Sequence, residues 1–92
     1  MTPRQIELAR HALGLPNRNR RSYRKHFVAG PGHADYAEWQ SMVAGGFATH
    51  RTGGPLSRGD DVFVLTPEGA LAALQEREYL SDTDFPGGRT TP

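Results

Sequence analysis

The chain has 92 residues, with 11 Lys/Arg, 10 Asp/Glu and no cysteine. This length allows one domain around a modest core and excludes a deep cleft between two lobes. The absence of cysteine excludes disulfide frameworks and thiolate zinc sites. No apolar run approaches the roughly 20 residues that span a bilayer, and the N-terminus has no signal pattern, so we expect a cytoplasmic protein without membrane association.

The charges are distributed unevenly along the chain. Residues 1–58 contain nine Lys/Arg and three Asp/Glu, for a net charge of +6, whereas residues 59–92 contain two and seven, for −5. This polarity indicates an electropositive and an electronegative side. This charge distribution suits binding to a charged partner. It is equally consistent with the two halves of the chain neutralising each other after folding.

Clear end signals predict a first helix over residues 3–14. Thr2 and Gln5 form a Thr-x-x-Gln capping box, and Pro3 suits the first helical position. Gly14 is a suitable C-terminal stop. The apolar residues between these ends recur at helical spacing and predict a buried stripe.

Two further helices are predicted before the middle of the chain. The helix over residues 20–28 rests on the i, i+4 pair of Tyr23 and Phe27, which would turn both rings inward and the arginines outward. The helix over residues 34–44 has Trp39 on its apolar side. We expect Phe27 and Trp39 to pack in the core, and stacking of the aromatic rings on exposed bases is the alternative.

In the second half of the chain, the spacing of the apolar residues changes from a helical to a strand-like pattern. Residues 47–51 and 62–65 are short strand-like runs, and the Gly-rich stretch "TGGPLSRGDD" between them predicts a hairpin with a long tip. A last helix is predicted over residues 67–77. The domain is therefore expected to span residues 1–80, followed by a polar, flexible tail over residues 81–92. Leu80, at the end of the domain, and Phe85 are expected to anchor the first part of this tail to the core.

The stretch "GGFATHR…DDVFVLTPEGALAAL" resembles the wing and the following helix of winged-helix regulators of the MarR and PadR type. The second wing strand of those proteins runs into a Leu-Thr-x-x-Gly helix start, which is here Leu65-Thr66-Pro67-Glu68-Gly69. Physically, the motif supplies an apolar strand end, a capping hydroxyl and a small residue where the helix packs closely. The first half, "ARHALGLPN…SYRKHFVAGPGHADYAEWQSMVAGGFA", resembles small uncharacterised phage and prophage proteins, which suggests a phage protein in a bacterial host.

The resemblance implies an α+β, mostly helical, winged-helix-like fold with three helices, a two-stranded wing and a final helix. It also implies that the helix over residues 34–44 enters the major groove and that the wing contacts the DNA backbone. The reading helix carries Asp35 and Glu38 and no Lys or Arg, although Gln40 suits adenine. The phosphate contacts would come from the preceding basic helix and the wing. The candidate binding residues are Arg18, Arg20, Arg21, Arg24, Lys25, Gln40, His50, Arg51 and Arg58.

No pattern in the sequence indicates catalysis, a metal site or a cofactor. His11, His26, His33 and His50 form no His-x-x-x-His pair, and no cysteine accompanies them. The serines lack a nucleophile elbow, and no Gly-rich loop has the spacing of a phosphate cradle. The sequence therefore predicts a protein that is not an enzyme.

Two functions fit these observations. The first is DNA binding by a small winged-helix regulator, for which a homodimer would add contacts. The second is a protein-interaction module that docks on a charged protein partner, such as a phage accessory protein or an inhibitor of a host defence complex. The acidic residues of the predicted helix over 34–44 favour the second function. The positive net charge of residues 1–58 favours the first.

Overall fold

The computed structural model of the protein describes residues 1–30, 32, 34–51 and 61–85, which form three helices and one antiparallel sheet. The predicted α+β class is confirmed. Three parts of the predictions lie outside the described residues. They are the hairpin tip, which includes Arg58, the single residue His33, and the end of the predicted tail. In chain order the elements are α1 (Pro3–Leu13), β1 (His26–Ala29), α2 (Tyr36–Ala44), β2 (Ala48–Arg51), β3 (Asp61–Leu65) and α3 (Pro67–Ala73).

Helix α1 begins and ends as its sequence predicts. The Gln5 amide donates to Thr2 Oγ1 at 3.1 Å, and the Thr2 amide donates to Gln5 Oε1 at 3.2 Å, so both halves of the capping box are formed. Gly14 ends the helix in the left-handed region with φ +83°. The buried stripe contains Leu8, Ala9, Ala12 and Leu13.

The predicted helix over residues 20–28 is wrong. His26–Ala29 form β1, which pairs antiparallel with β3 so that Phe27 is opposite Phe63. The backbone of Arg20 has φ +58°, which a right-handed helix excludes. The side chains alternate as in a strand, with Phe27 and Ala29 facing the core and His26 and Val28 exposed. The described residues therefore form three strands, in the order β1-β3-β2, instead of a fourth helix.

Aromatic rings from three elements form the centre of the core. Trp39 of α2 and Phe63 of β3 are fully buried, and their ring centroids lie 5.7 Å apart. Phe27 is half-buried and stacks on Trp39 at 5.3 Å. The predicted core positions of Phe27 and Trp39 are confirmed, and this stack joins the sheet to α2.

The Leu-Thr-x-x-Gly segment joins β3 to α3 through close contacts. Thr66 Oγ1 accepts the amide of Gly69 at 3.1 Å and donates its hydroxyl hydrogen to the carbonyl of Gly46 at 2.9 Å. A Cβ atom on Gly69 would lie 2.0 Å from the carbonyl oxygen of Phe47. The expected capping hydroxyl and close approach are therefore both present, and only glycine fits at this position.

A buried ion pair fixes the segment that follows α3. Helix α3 ends at Ala73, earlier than the predicted residue 77, and Glu78 turns back toward α1. Two guanidinium nitrogens of Arg10 donate to the two carboxylate oxygens of Glu78, at 2.5 and 2.7 Å, and one of them also donates to Ala73 O at 2.9 Å. Leu80 and Phe85 are buried beyond this pair, which confirms their predicted anchoring role.

We expect Gly69→Ala to destabilise the fold by about 1–3 kcal/mol, because the added methyl group has to displace the Phe47 backbone. Gly32→Ala is the matched control, since no heavy atom lies within 4 Å of its Cβ position. Urea unfolding of both variants measures the difference. Equal stability of the two variants would contradict the close contact between α3 and Phe47.

Stability should fall at acidic pH because of Glu78. The hydrogen bonds from Arg10 lower the pKa of Glu78 below its ordinary value of 4.5. A carboxyl group with a lowered folded pKa stabilises the fold above the unfolded pKa, and this contribution is lost as the pH falls through the folded value. Glu78→Gln should therefore flatten the melting-temperature profile below about pH 4.5. Parallel acid profiles for the wild type and the variant would contradict this role.

Candidate binding site

The segment of residues 17–25, which we name the basic loop, is irregular but internally braced. The Asn17 side-chain amide donates to Gly14 O at 3.1 Å and to Arg21 O at 2.8 Å. The side-chain oxygen of Asn17, Oδ1, accepts a hydrogen bond from the Arg21 backbone amide at 3.4 Å. Asn17 therefore closes the basic loop on itself.

The C-terminal segment holds the basic loop from the other side. Arg21 and Tyr79 form a parallel β-bridge, in which the Ser22 amide donates to Tyr79 O at 2.9 Å and the Tyr79 amide donates to Arg20 O at 2.8 Å. Ser22 is 2% exposed, and its hydroxyl oxygen accepts the Ser81 amide at 2.8 Å. The loop backbone is thus fixed by hydrogen bonds at successive positions.

Tyr23 lies outward, which corrects the prediction that its ring packs inward. The residue is 63% exposed, although its amide donates to Leu13 O at 3.1 Å. The nearest ring atoms, Cδ1, Cε1 and Cζ, lie so close to Gly14 that a Cβ there would be 2.2 Å from Cε1. Gly14 therefore both ends α1 and seats the Tyr23 ring.

Among the described residues, three cations of the basic loop bind backbone carbonyl groups and not carboxylates. Arg24 donates through Nε and Nη2 to His11 O, and its guanidinium lies 5.3 Å from the Tyr23 ring centroid. Arg21 donates to Leu80 O, and Lys25 donates to Asp84 O. These carbonyl partners are uncharged. Within the residues that the structure describes, no carboxylate lies at salt-bridge distance from any Arg or Lys of the loop.

A hollow of about 530 Å³ opens on the basic loop. Its volume is in the usual range for ligand sites. Arg18 lines the hollow, whereas Arg20 is exposed next to it in sequence, and neither side chain makes a hydrogen bond to the described part of the chain. The lining residues are Asn17, Arg18, Asn19, Arg21, Ser22 and Tyr23.

Of the described residues that were predicted to bind, Gln40, His50 and Arg51 lie outside the basic loop, which ends at Lys25. Lys25 is opposite Leu65, since its carbonyl accepts the Leu65 amide, whereas Arg51 is opposite Val62. Three residues along β3 separate these ends of the sheet by roughly 10 Å. Gln40 is exposed on α2 and hydrogen-bonds Tyr36, whose hydroxyl donates to Asp61 at the Arg51 end of β3. The structure therefore does not bring the described members of the predicted set together at one site.

His50 is held in a structural cluster with Tyr36 and Asp61. Its Nε2 lies 2.7 Å from Asp61 Oδ2, which also accepts the Tyr36 hydroxyl at 2.6 Å. This hydrogen bond raises the pKa of Tyr36 above its ordinary value of 10.0. His50 also stacks on Phe63 with 4.9 Å between the ring centroids. The cluster therefore links β2 and α2 through Asp61 of β3.

The two carboxylates of the predicted reading helix point toward α1. Asp35 accepts a hydrogen bond from the Arg4 guanidinium, and Glu38 accepts the Gln5 side-chain amide at 3.2 Å. The exposed positions of α2 are Ala37, Gln40, Ser41 and Ala44. This surface is uncharged, so it neither attracts nor repels phosphates strongly.

A second groove, of about 390 Å³, lies between α1 and Phe27. Its Arg4 and Arg10 already bind carboxylates, which makes it a weaker candidate for a charged ligand. Among the described residues, no three His, Asp or Glu side chains form a group that could hold a metal ion. No helix in the described ranges has the length and apolar character needed to cross a bilayer.

Comparisons with protein-family models, with curated proteins and with solved structures gave no match to this chain.

Asn17→Ala should loosen the basic loop selectively, because it removes the hydrogen bonds that close it. We expect faster hydrogen exchange at the Arg21 amide and a decrease in global stability of about 1 kcal/mol. Asn19→Ala is the matched control, since Asn19 is exposed and its side chain makes no hydrogen bond within the described ranges. Equal exchange rates in the two variants would contradict the bracing role of Asn17.

Proposed function

We propose that the protein binds nucleic acid and that the basic loop contacts the phosphate backbone. The observation that carries this proposal is a fixed loop backbone presenting Arg18, Arg20, Arg21 and Arg24 without carboxylate partners in the described ranges. Guanidinium groups bind phosphate oxygens in a bidentate manner. Four such groups within seven residues form a local anion-binding surface even though the net charge of the chain is only +1.

The location of the acidic residues supports this proposal. The negative second half of the chain reaches the basic loop through backbone groups of Tyr79, Leu80 and Asp84. Its carboxylates do not pair with the loop arginines in the described ranges, and Glu78 is bound to Arg10. The charge polarity therefore survives folding at this site, and an approaching polyanion would meet a positive potential.

We infer further that the fold is a shortened winged-helix arrangement. In support, α2 directly precedes the β2–β3 hairpin, β1 completes the sheet, and α3 follows through Thr66 and Gly69 as the resemblance implies. The arrangement is shortened because β1 takes the place of the helix expected before α2, and among the described elements no other helix lies between α1 and α2. With a neutral α2 surface, the affinity for phosphates would depend on the basic loop.

A protein-interaction module is the second candidate function. β1 is an edge strand, and its Val28 is 44% exposed, so an extended peptide could pair with it. Such binding would depend on main-chain hydrogen bonds and apolar contact, and its affinity would change little with salt. The salt dependence of binding therefore separates the two functions.

Removal of loop charges should reduce the salt dependence of nucleic-acid binding. We expect Arg18→Gln/Arg20→Asn to lower the slope of log affinity against log salt by about 0.7–0.9 for each phosphate that the variant no longer neutralises. Asparagine is chosen because it tolerates the positive φ of Arg20. Arg51→Gln is the control, since it removes an exposed arginine at the other end of the sheet. Fluorescence anisotropy with labelled oligonucleotides measures the slopes.

Two results would contradict the proposal. If wild-type protein binds neither single-stranded nor duplex oligonucleotides at low salt, nucleic-acid binding is wrong and the protein-interaction function is favoured. If Arg51→Gln lowers the slope and the loop variant does not, the site is the hairpin end of the sheet and the assignment to the basic loop is wrong.

A further inference from the structure

We propose that the ligand of the basic loop is single-stranded nucleic acid and that one base stacks on Tyr23. This inference rests on the proposed function, and it adds the strandedness of the ligand and the residue that binds a base. It comes from the position of Tyr23, which the charges alone do not explain.

Tyr23 is exposed and yet held in place. A tyrosine that is 63% exposed loses most of the stabilisation that burial of its side chain would provide. The Leu13 carbonyl fixes its backbone, Gly14 seats one ring edge, and the Arg24 guanidinium lies over the ring at 5.3 Å. The ring is therefore a preorganised apolar surface that requires little ordering when a ligand binds.

The surroundings of the ring suit a nucleotide. Tyr23 borders the hollow of about 530 Å³ together with Arg18 and Arg21, so an aromatic surface and cations face one space. The Asn19 side chain, which makes no hydrogen bond to the described part of the chain, lines the same space and offers a donor and an acceptor for a base edge. A stacking ring between phosphate-binding cations is the arrangement that binds single strands.

Duplex nucleic acid fits this arrangement poorly. Bases in a duplex are stacked on both faces, so Tyr23 could reach a base face only if the stack opened. Unstacked bases of single strands can instead be splayed onto aromatic side chains. The uncharged exposed surface of α2 adds no phosphate contacts that would hold a duplex in its groove.

The experiment measures the affinity of wild-type protein and of Tyr23 variants for a labelled oligothymidylate, for a mixed-sequence duplex of equal length, and for an abasic phosphodiester strand. We expect the wild type to bind oligothymidylate more tightly than the other two. Tyr23→Leu should weaken that binding by a factor between about 5 and 150, and Tyr23→Phe should restore it, because phenylalanine keeps the stacking face. The salt slope should stay the same in both variants, since every phosphate-binding cation is retained.

Circular dichroism of each variant confirms that it is folded, and the abasic strand tests stacking on the wild-type protein without any substitution. If the duplex or the abasic strand binds as well as oligothymidylate, or if folded Tyr23→Leu keeps full affinity, the inference is overturned while the phosphate-binding function stands. If none of the three probes binds at low salt, both the inference and the proposed function are overturned.

Discussion

The basic loop depends on the buried ion pair between Arg10 and Glu78. Helix α1 and the segment after α3 are brought together in the interior by the two hydrogen bonds of this pair, whose residues are 68 positions apart in sequence. Glu78 also accepts the Gln75 amide, so the chain direction is set just before Tyr79 pairs with Arg20 and Ser22. Removal of one partner would leave a buried charge, which is strongly destabilising. The position of the loop is therefore fixed by the core.

The same packing explains why the loop can present several like charges. Neighbouring arginines repel one another, and Arg20 also adopts a left-handed backbone that few side chains tolerate. The hydrogen bonds of Asn17 and Ser22 hold this conformation against both effects. Locally unfavourable features of this kind concentrate at functional sites. In our proposal, bound phosphates reduce the repulsion between the loop arginines. A stacked base covers the Tyr23 ring, which is exposed in the free protein.

Local signals predict most of the fold but little of the site. The capping box of α1, the periodicity of α2, the strands of the hairpin and the Thr66–Gly69 junction are encoded within a few residues, and the structure confirms them. The sequence of β1 predicts a helix instead, because four residues carry too little alternation and the pairing with β3 is decided by distant Phe63. The outward position of Tyr23 depends on contact with Gly14, and the separation of Arg51 from the loop depends on strand register. Neither can be deduced from spacing alone.

In our proposal, the basic loop is the surface that receives nucleic acid. The most direct test follows the backbone amide signals of the protein by NMR during titration with oligothymidylate. We expect shifts at residues 17–25 and at the paired residues 79–81, with α2 and β2 unchanged, because the loop and its bracing segment form one fixed surface. Shifts confined to α2 and β2, or no shifts at low salt, would contradict it.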